Sequence, residues 1–274
     1  MHKWVYVATL VAAASAVFSV ACGSDDDGGA NGNLDSTGTV TGEISVFAAS
    51  SLTDAFMEEA AAFETANPGV KVTMRFGASS ALAVQINEGA PADVYASADL
   101  AQMKVVTDAG AVSESKIFVK NTPVVVIPRS DTKIAAFADL AMPGVRLVLA
   151  GAEVPIGRYS REILRKASAE GGVSSDFSER VLANLKSEEA NVRAVLTKVQ
   201  LGEADAGIVY RTDVPAAGGE VAVVDIPEAY NVVASYPIAA VKDAKNAQGA
   251  TAFIAFIMSS EGQDILAKHG FVSP

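Results

Sequence analysis

From Glu43 onward the chain switches repeatedly between two hydrophobic periods. Glu43 to Ala48 is a short apolar run, after which Leu52, Phe56 and Phe63 recur at helical spacing until Asn67-Pro68-Gly69 interrupts them. Val70, Val72, Met74 and Phe76 then alternate with Lys71, Thr73 and Arg75, the period of a half-exposed strand. A helix through Leu82 and Ile86 to Gly89, a strand from Asp93 to Ser97 and a helix from Asp99 to Ala109, closed by Gly110, continue the series. The alternation predicts an α/β fold.

Thr122 to Pro128 reads as a strand framed by prolines, and Tyr236 to Val241 looks like its counterpart far downstream. Between them lies a second series. It has a strand at Val145 to Ala150, helices from Ile156, near Phe177 to Leu185, from a start at Ser187 to Val192, and over Asn191 to Val199, then strands at Ala206 to Tyr210 and Glu220 to Val224. The simplest arrangement is two lobes joined by two crossing strands, with helices Ala250 to Met258 and Glu261 to Lys268 returning to the first lobe. Lobe 1 is then residues 43–122 plus 236–274, lobe 2 is 123–235, and a ligand cleft lies between them. In open α/β sheets ligands gather at the carboxyl ends of strands, where helices begin.

The segment before this pattern has a different character. Lys3 precedes an apolar stretch from Trp4 to Ala21, and Ala21-Cys22 closes it with small residues, so 1–22 reads as an export signal of lipoprotein type. Cys22 is the only cysteine, which excludes an intramolecular disulfide, and its position resembles a lipobox in which the cysteine is lipid-modified. A retained membrane anchor and cleavage a few residues away are the alternatives. Residues 23–42 hold six Gly and four Asp but no Lys, Arg or aromatic residue, a flexible linker that suits a tether.

Residues 43–274 carry 20 basic against 28 acidic residues, a net charge of −8. An acidic chain argues against nucleic acid as a partner. It also means that a bound anion must be held by local dipoles and hydrogen bonds rather than by bulk charge. Two turns offer these: Ala49-Ser50-Ser51-Leu52-Thr53-Asp54 and Gly77-Ala78-Ser79-Ser80-Ala81 each hand a strand over to a helix, where free N–H groups and the helix dipole favour anions. The ordinary alternative is capping, since Ser51 with Asp54 three residues on is a common N-cap signature. Pro155 before Ile156, the start near Val192 and Tyr210 at a strand tip occupy matching positions in the second series. Each has a structural explanation: helix punctuation, core packing and a packed edge tyrosine.

Taken together and in order, Val46 to Phe56, Phe76 to Ala83, Gln85-Ile86, Gly89 to Val94, Val154-Pro155 with Gly157 and Tyr159, and Gly207 to Tyr210 resemble the molybdate-binding proteins of bacterial ABC importers, a branch of the class II periplasmic binding proteins. The resemblance spans 43–274. It implies a two-lobed fold with two crossover hinge strands, and an oxyanion held by the hydroxyls and N–H groups of Ser51 and Ser79, the N–H groups of Ile156 and Val192, and the Tyr210 hydroxyl. It implies a monomeric, non-enzymatic receptor with no cofactor, exported and anchored through Cys22 at the extracytoplasmic face of a membrane, which delivers molybdate or tungstate to an ABC permease.

Two other readings remain at this stage. The same fold could hold sulfate; phosphate fits less well, because its proton at neutral pH calls for an acceptor and none of the matched positions is Asp or Glu. A serine hydrolase would use an exposed serine as nucleophile, but no Gly-x-Ser-x-Gly elbow is present, and His269 is the only histidine outside the export segment. In Lys268-His269-Gly270 it reads as a helix C-terminal residue. One histidine and one signal-junction cysteine also leave no cluster for a catalytic metal.

Overall fold

The computed structural model describes residues 40–130, 133–170 and 172–274. The export segment, Cys22 and most of the linker lie outside the described residues. Thr39–Pro274 form one compact unit. Among the described residues no helix is long and apolar enough to cross a membrane.

The unit is built on two five-stranded sheets of the same design. In the first, β1 (Gly42–Ala49) pairs in parallel with β2 (Val70–Gly77) and β3 (Val94–Ala96), and antiparallel β10 (Ala234–Ala240) joins β3 to the edge strand β4 (Lys116–Asn121). In the second, β6 (Leu147–Ala150) pairs in parallel with β7 (Leu185–Glu189) and β8 (Ala206–Tyr210), and antiparallel β5 (Pro123–Pro128) joins β8 to the edge strand β9 (Val221–Val224). The chain passes from the first sheet to the second at Thr122, between β4 and β5, and returns ahead of β10. Thr122 carries the crossing because Pro123 has no N–H for a continuous ladder and restricts the residue before it to extended backbone.

Helices connect the parallel strands. In the first lobe α1 (Thr53–Ala66) follows β1, α2 (Ser79–Asn87) follows β2 and α3 (Leu100–Asp108) follows β3. In the second, α4 (Pro155–Ala169) and α5 (Phe177–Ala183) lie between β6 and β7, and α6 (Val192–Gln200) follows β7. The C-terminal α7 (Ala247–Ile257) and α8 (Ser260–Lys268) pack back on the first lobe, where Phe253 meets the rings of Phe56 and Phe63 edge-on at 6.3 and 5.3 Å. Phe47, Leu82, Ile86, Tyr95, Met103 and Val106 make a smaller core on the other face of that sheet, under α2 and α3.

Two elements differ from the pattern-based reading. Leu185–Glu189 is a strand, not the approach to a helix beginning at Ser187; the helix starts at Val192, with the Asn191 side chain accepting from the Ala194 N–H at 3.1 Å. The strand is polar because it is an edge: only one neighbour, β6, pairs with it, and its residues are half-buried or exposed. Lys116–Asn121, whose only apolar residues are Ile117, Phe118 and Val119 between two lysines, is another edge strand that periodicity does not reveal.

One core position breaks the apolar rule. Glu59 lies on the buried stripe of α1 with Ala55, Phe56, Ala60 and Phe63, and neither carboxyl oxygen has a hydrogen-bond partner among the described residues. Burial, with the negative charges of Glu58 and Glu261 adding to it, pushes its carboxyl up to about 9. The folded state therefore keeps a proton that the unfolded chain releases near the ordinary carboxylate range, so stability falls as pH rises between the two. Denaturant titrations from about pH 6.5 to 9 should show wild type losing stability by at most about 1.4 kcal/mol per pH unit from this group. Glu59→Gln should flatten that slope; an equal slope in both proteins would mean that Glu59 is ionised in the fold.

Candidate functional site

Six strand ends face one another across the two lobes, three from each. β1 ends in a 3-10 turn over Ser50–Leu52, β2 ends at the start of α2, and β3 leads through Ala98 to Asp99, the N-cap of α3. Opposite them β6 leads to the start of α4, β7 to the start of α6, and β8 ends in Tyr210. Between these ends is a small, tight cavity, lined by Ser50, Ser51, Ser79, Ile156, Val192 and Tyr210 together with small or apolar neighbours, Ala98 among them. All five residues singled out from the sequence line it. Among the described residues no Asp, Glu, Lys, Arg or His does.

Neither serine caps its helix. The N-cap of α1 is Leu52 and that of α2 is Ala78, and neither makes a side-chain cap hydrogen bond. The Ser51 hydroxyl instead meets the Tyr236 hydroxyl at 2.9 Å, and the Ser79 hydroxyl accepts from the Ala98 N–H at 3.0 Å. Both serines are buried. An N–H cannot accept, so the Ser79 proton is left to point elsewhere. Tyr95 reinforces this turn by donating its hydroxyl to the Ser79 carbonyl at 2.8 Å.

From the second lobe come donors that the fold leaves without acceptors. Pro155 opens α4, so the Ile156 N–H lies in the first turn, where no helical carbonyl is available to it. The Val192 N–H is in the same situation at the start of α6. The Tyr210 hydroxyl is buried with no hydrogen-bond partner among the described residues. Burial raises the pKa of this phenol well above its ordinary value, so it stays protonated. The cavity thus concentrates N–H and O–H donors and lacks a carboxylate acceptor.

Charged residues surround this cavity without entering it, each neutralised where it stands. Arg158 on α4 reaches Asp99 of the first lobe at 3.0 Å, and Asp99 also accepts from the Gln102 N–H at 2.8 Å. Arg193 on α6 bridges Asp54 of the first lobe at 2.7 Å and Asp213 of its own at 2.8 Å. Burial pushes the Asp213 carboxyl up to about 6, against the pull of Arg193. These pairs, with the Gln102 side chain donating to the Glu153 carbonyl at 3.1 Å, join the lobes on either side of the cavity.

His269 does not line the serines' cavity. It caps the C-terminus of α8, as its sequence context predicts, and its Nε2 lies 2.9 Å from the Glu58 carboxylate. A roomier groove lies beside Gly42, Asp93 and Asn246, but there the Asp93 carboxylate already accepts from the N–H groups of Ser45 and Asn246. Residues that sequence reasoning did not single out for the site are Ala98, Asn121 and Tyr236. Ala98 and Asn121 have no distinctive local motif, and Tyr236 is visible only as part of a strand.

Residues 44–272 match the family described as bacterial extracellular solute-binding protein. The chain belongs to this family. It is 38% identical, over 277 aligned positions that cover 99% of it and all of the relative, to the molybdate-binding protein ModA of Mycobacterium tuberculosis. Among solved structures it is similar to the substrate-binding domain of a putative molybdenum ABC transporter from Clostridium difficile, at 30% identity and a TM-score of 0.63, over 85% of this chain and 99% of that one. The sulfate-binding protein SubI of M. tuberculosis shares the fold, with a TM-score of 0.77 at 22% identity over 84% of this chain and 86% of that one. Members of this family are receptors for solutes outside the cytoplasm.

The close approach that positions the α4 start is at Gly157. A Cβ there would lie 2.0 Å from the Gly151 carbonyl oxygen and 2.4 Å from that of Ala150, both backbone atoms at the end of β6. Gly157→Ala must push the helix start away from the strand, with a cost of about 1–3 kcal/mol from overpacking. The expected result is a lower urea midpoint, and a midpoint equal to wild type would show that the helix start is free to move.

Proposed function

We propose that this protein is a non-enzymatic receptor that closes around one molybdate or tungstate anion and presents it to an ABC permease. The observation that carries the proposal is the convergence of uncharged donors from both lobes on one small cavity: the hydroxyls of Ser51, Ser79 and Tyr210 and the N–H groups of Ile156 and Val192, with the Tyr210 hydroxyl buried and unpaired. A fully deprotonated tetrahedral oxyanion accepts at every oxygen, which is the complement of such a set. Desolvating a doubly charged anion is costly, and several N–H and O–H donors backed by helix dipoles offset that cost without a Lys or Arg left unpaired in the empty state.

The division of donors between lobes supplies the transport signal. Ser51 and Ser79 belong to one lobe and Ile156, Val192 and Tyr210 to the other, so the ligand is fully held only when the lobes are closed, and binding shifts the population toward that form. The Arg158–Asp99 and Arg193–Asp54 pairs are available only in the closed form and add to its stability. A single chain completes the cavity, which suits a monomeric receptor. In this reading the anion is cargo, no cofactor is called for, and Cys22 carries the lipid that holds the chain outside the cytoplasmic membrane, near the permease.

The relatives' names support molybdate as cargo, and a lining without a carboxylate acceptor favours an anion without a proton over hydrogen phosphate. Sulfate has the same charge and shape but is smaller, so it should bind more weakly in a cage sized for molybdate. Titration calorimetry of residues 40–274 should give tight binding for molybdate and tungstate, weaker binding for sulfate and none for phosphate; sulfate binding more tightly than molybdate would reassign the cargo. Ser51→Ala, Ser79→Ala and Tyr210→Phe should each weaken molybdate binding by about 1–3 kcal/mol, the loss of one hydrogen bond to a charged group. Unchanged affinity in all three would remove the cavity from the mechanism.

A further inference from the structure

Hydroxyl groups accept as readily as they donate, so a cage that relies on serine protons needs something to set their direction. For Ser51 the structure supplies it from outside the cavity. We infer that Tyr236 is a positioning residue: its hydroxyl, held by Asn121, donates to Ser51 and so leaves the Ser51 proton to point into the cavity, which presents this serine to the ligand as a donor and biases the site against protonated anions. This inference rests on the reading of the cavity as an oxyanion site and adds a residue that does not line it.

The polarity can be followed from the backbone inward. The Asn121 side-chain oxygen accepts from the Thr122 N–H at 2.9 Å, which fixes the orientation of the amide. Its nitrogen therefore faces the other way, donating to the Thr212 hydroxyl at 2.7 Å and, at a longer 3.4 Å, to the Tyr236 hydroxyl. With a donor already directed at its oxygen, the phenol has two hydroxyl oxygens nearby, those of Tyr210 and Ser51, and it places its proton on the one it meets at hydrogen-bond distance, Ser51 Oγ at 2.9 Å. Tyr236 is fully buried, and burial holds its hydroxyl protonated well beyond the ordinary phenol range. Ser51 then receives a hydrogen bond from behind and has one proton to give, toward the cavity.

The placement also explains why a tyrosine stands in a strand that connects the lobes. The Tyr236 ring packs edge-on against Tyr210 at 5.6 Å and against Phe271 at 5.7 Å, so the ring alone accounts for its packing and the hydroxyl is left for this relay. The Ser79 proton is freed in the same way by the Ala98 N–H, a backbone group that truncating a side chain leaves in place. Tyr236 is thus the one of the two orienting donors that mutation can test.

Tyr236→Phe keeps the ring and deletes only the donor. Calorimetry with molybdate and with inorganic phosphate on wild type, Tyr236→Phe, Ser51→Ala and the double variant forms the test, with matched melting midpoints establishing that Tyr236→Phe is intact. Molybdate affinity should fall about 3- to 10-fold in Tyr236→Phe, the effect of one neutral hydrogen bond. The ratio of molybdate to phosphate affinity should narrow, because the released Ser51 oxygen can now accept from hydrogen phosphate. In the Ser51→Ala background Tyr236→Phe should have no further effect, since its influence passes through Ser51. An equal fold-loss in both backgrounds would assign Tyr236 a merely structural role and overturn the inference, as would unchanged affinity and an unchanged ratio. If wild type holds sulfate and not molybdate, the cargo assignment fails while the same cycle, run with sulfate, still decides the relay; if wild type binds no tetrahedral anion, both fall.

Discussion

Buried donors without acceptors are the constraint around which this molecule is organised. An unpaired N–H or O–H removed from water costs about 1–3 kcal/mol, and a folded chain ordinarily pairs such groups or leaves them at the surface. Here the strand ends of two lobes bring several of them to one small cavity, with the Tyr210 hydroxyl fully unpaired. Such an arrangement is unfavourable when the cavity is empty and dry, and becomes favourable when an acceptor with several lone pairs fills it. The closed form is therefore coupled to its guest: the groups that specify the ligand also make closure without it costly.

The duplicated sheet design makes the convergence possible. Each lobe has a central strand flanked by two parallel neighbours, and the strand beside them runs antiparallel at the connection between lobes. Parallel strands all end on the same side, so three helix starts or turns emerge together in each lobe. Facing the two triplets across a hinge surrounds a small ligand with backbone dipoles, and small residues such as Gly157 and Ala98 allow the close approach. Charge is kept outside this ring. Arg158 and Arg193 do not line it; Asp99 and Asp54 hold them in pairs that tie the lobes together, and Asp213 pairs with Arg193 inside the second lobe.

Much of this was legible along the chain. The alternation of period-two and helical runs reported the α/β order, and the serine turns, Pro155-Ile156 and Tyr210 could be recognised as strand ends because each sits where one period gives way to another. Edge strands were harder. Leu185–Glu189 lacks an apolar run because it pairs on one side only and its residues stay half-buried or exposed, so it imitates a helix approach, and Lys116–Asn121 buries Phe118 and Val119 but offers only three apolar residues between two lysines. The relay behind Ser51 was not legible at all: Asn121, Tyr236 and Ser51 are separated by 115 and 185 positions, and no local pattern encodes such a meeting.

The sequence by itself determined which backbone donors would be orphaned, because strand-to-helix junctions, a proline at the first helical position and the spacing of apolar residues are local properties set by dihedral preference and periodicity. It also determined that any attraction for an anion must be short-ranged, since the chain is acidic. Only the tertiary structure decided that these donors share one cavity, that the serine hydroxyls leave their own helices uncapped, and that Tyr236 and Ala98 set the direction of the serine protons. Those outcomes depend on distances between segments far apart in the chain, and a hydrogen bond's polarity is fixed by its neighbours in space.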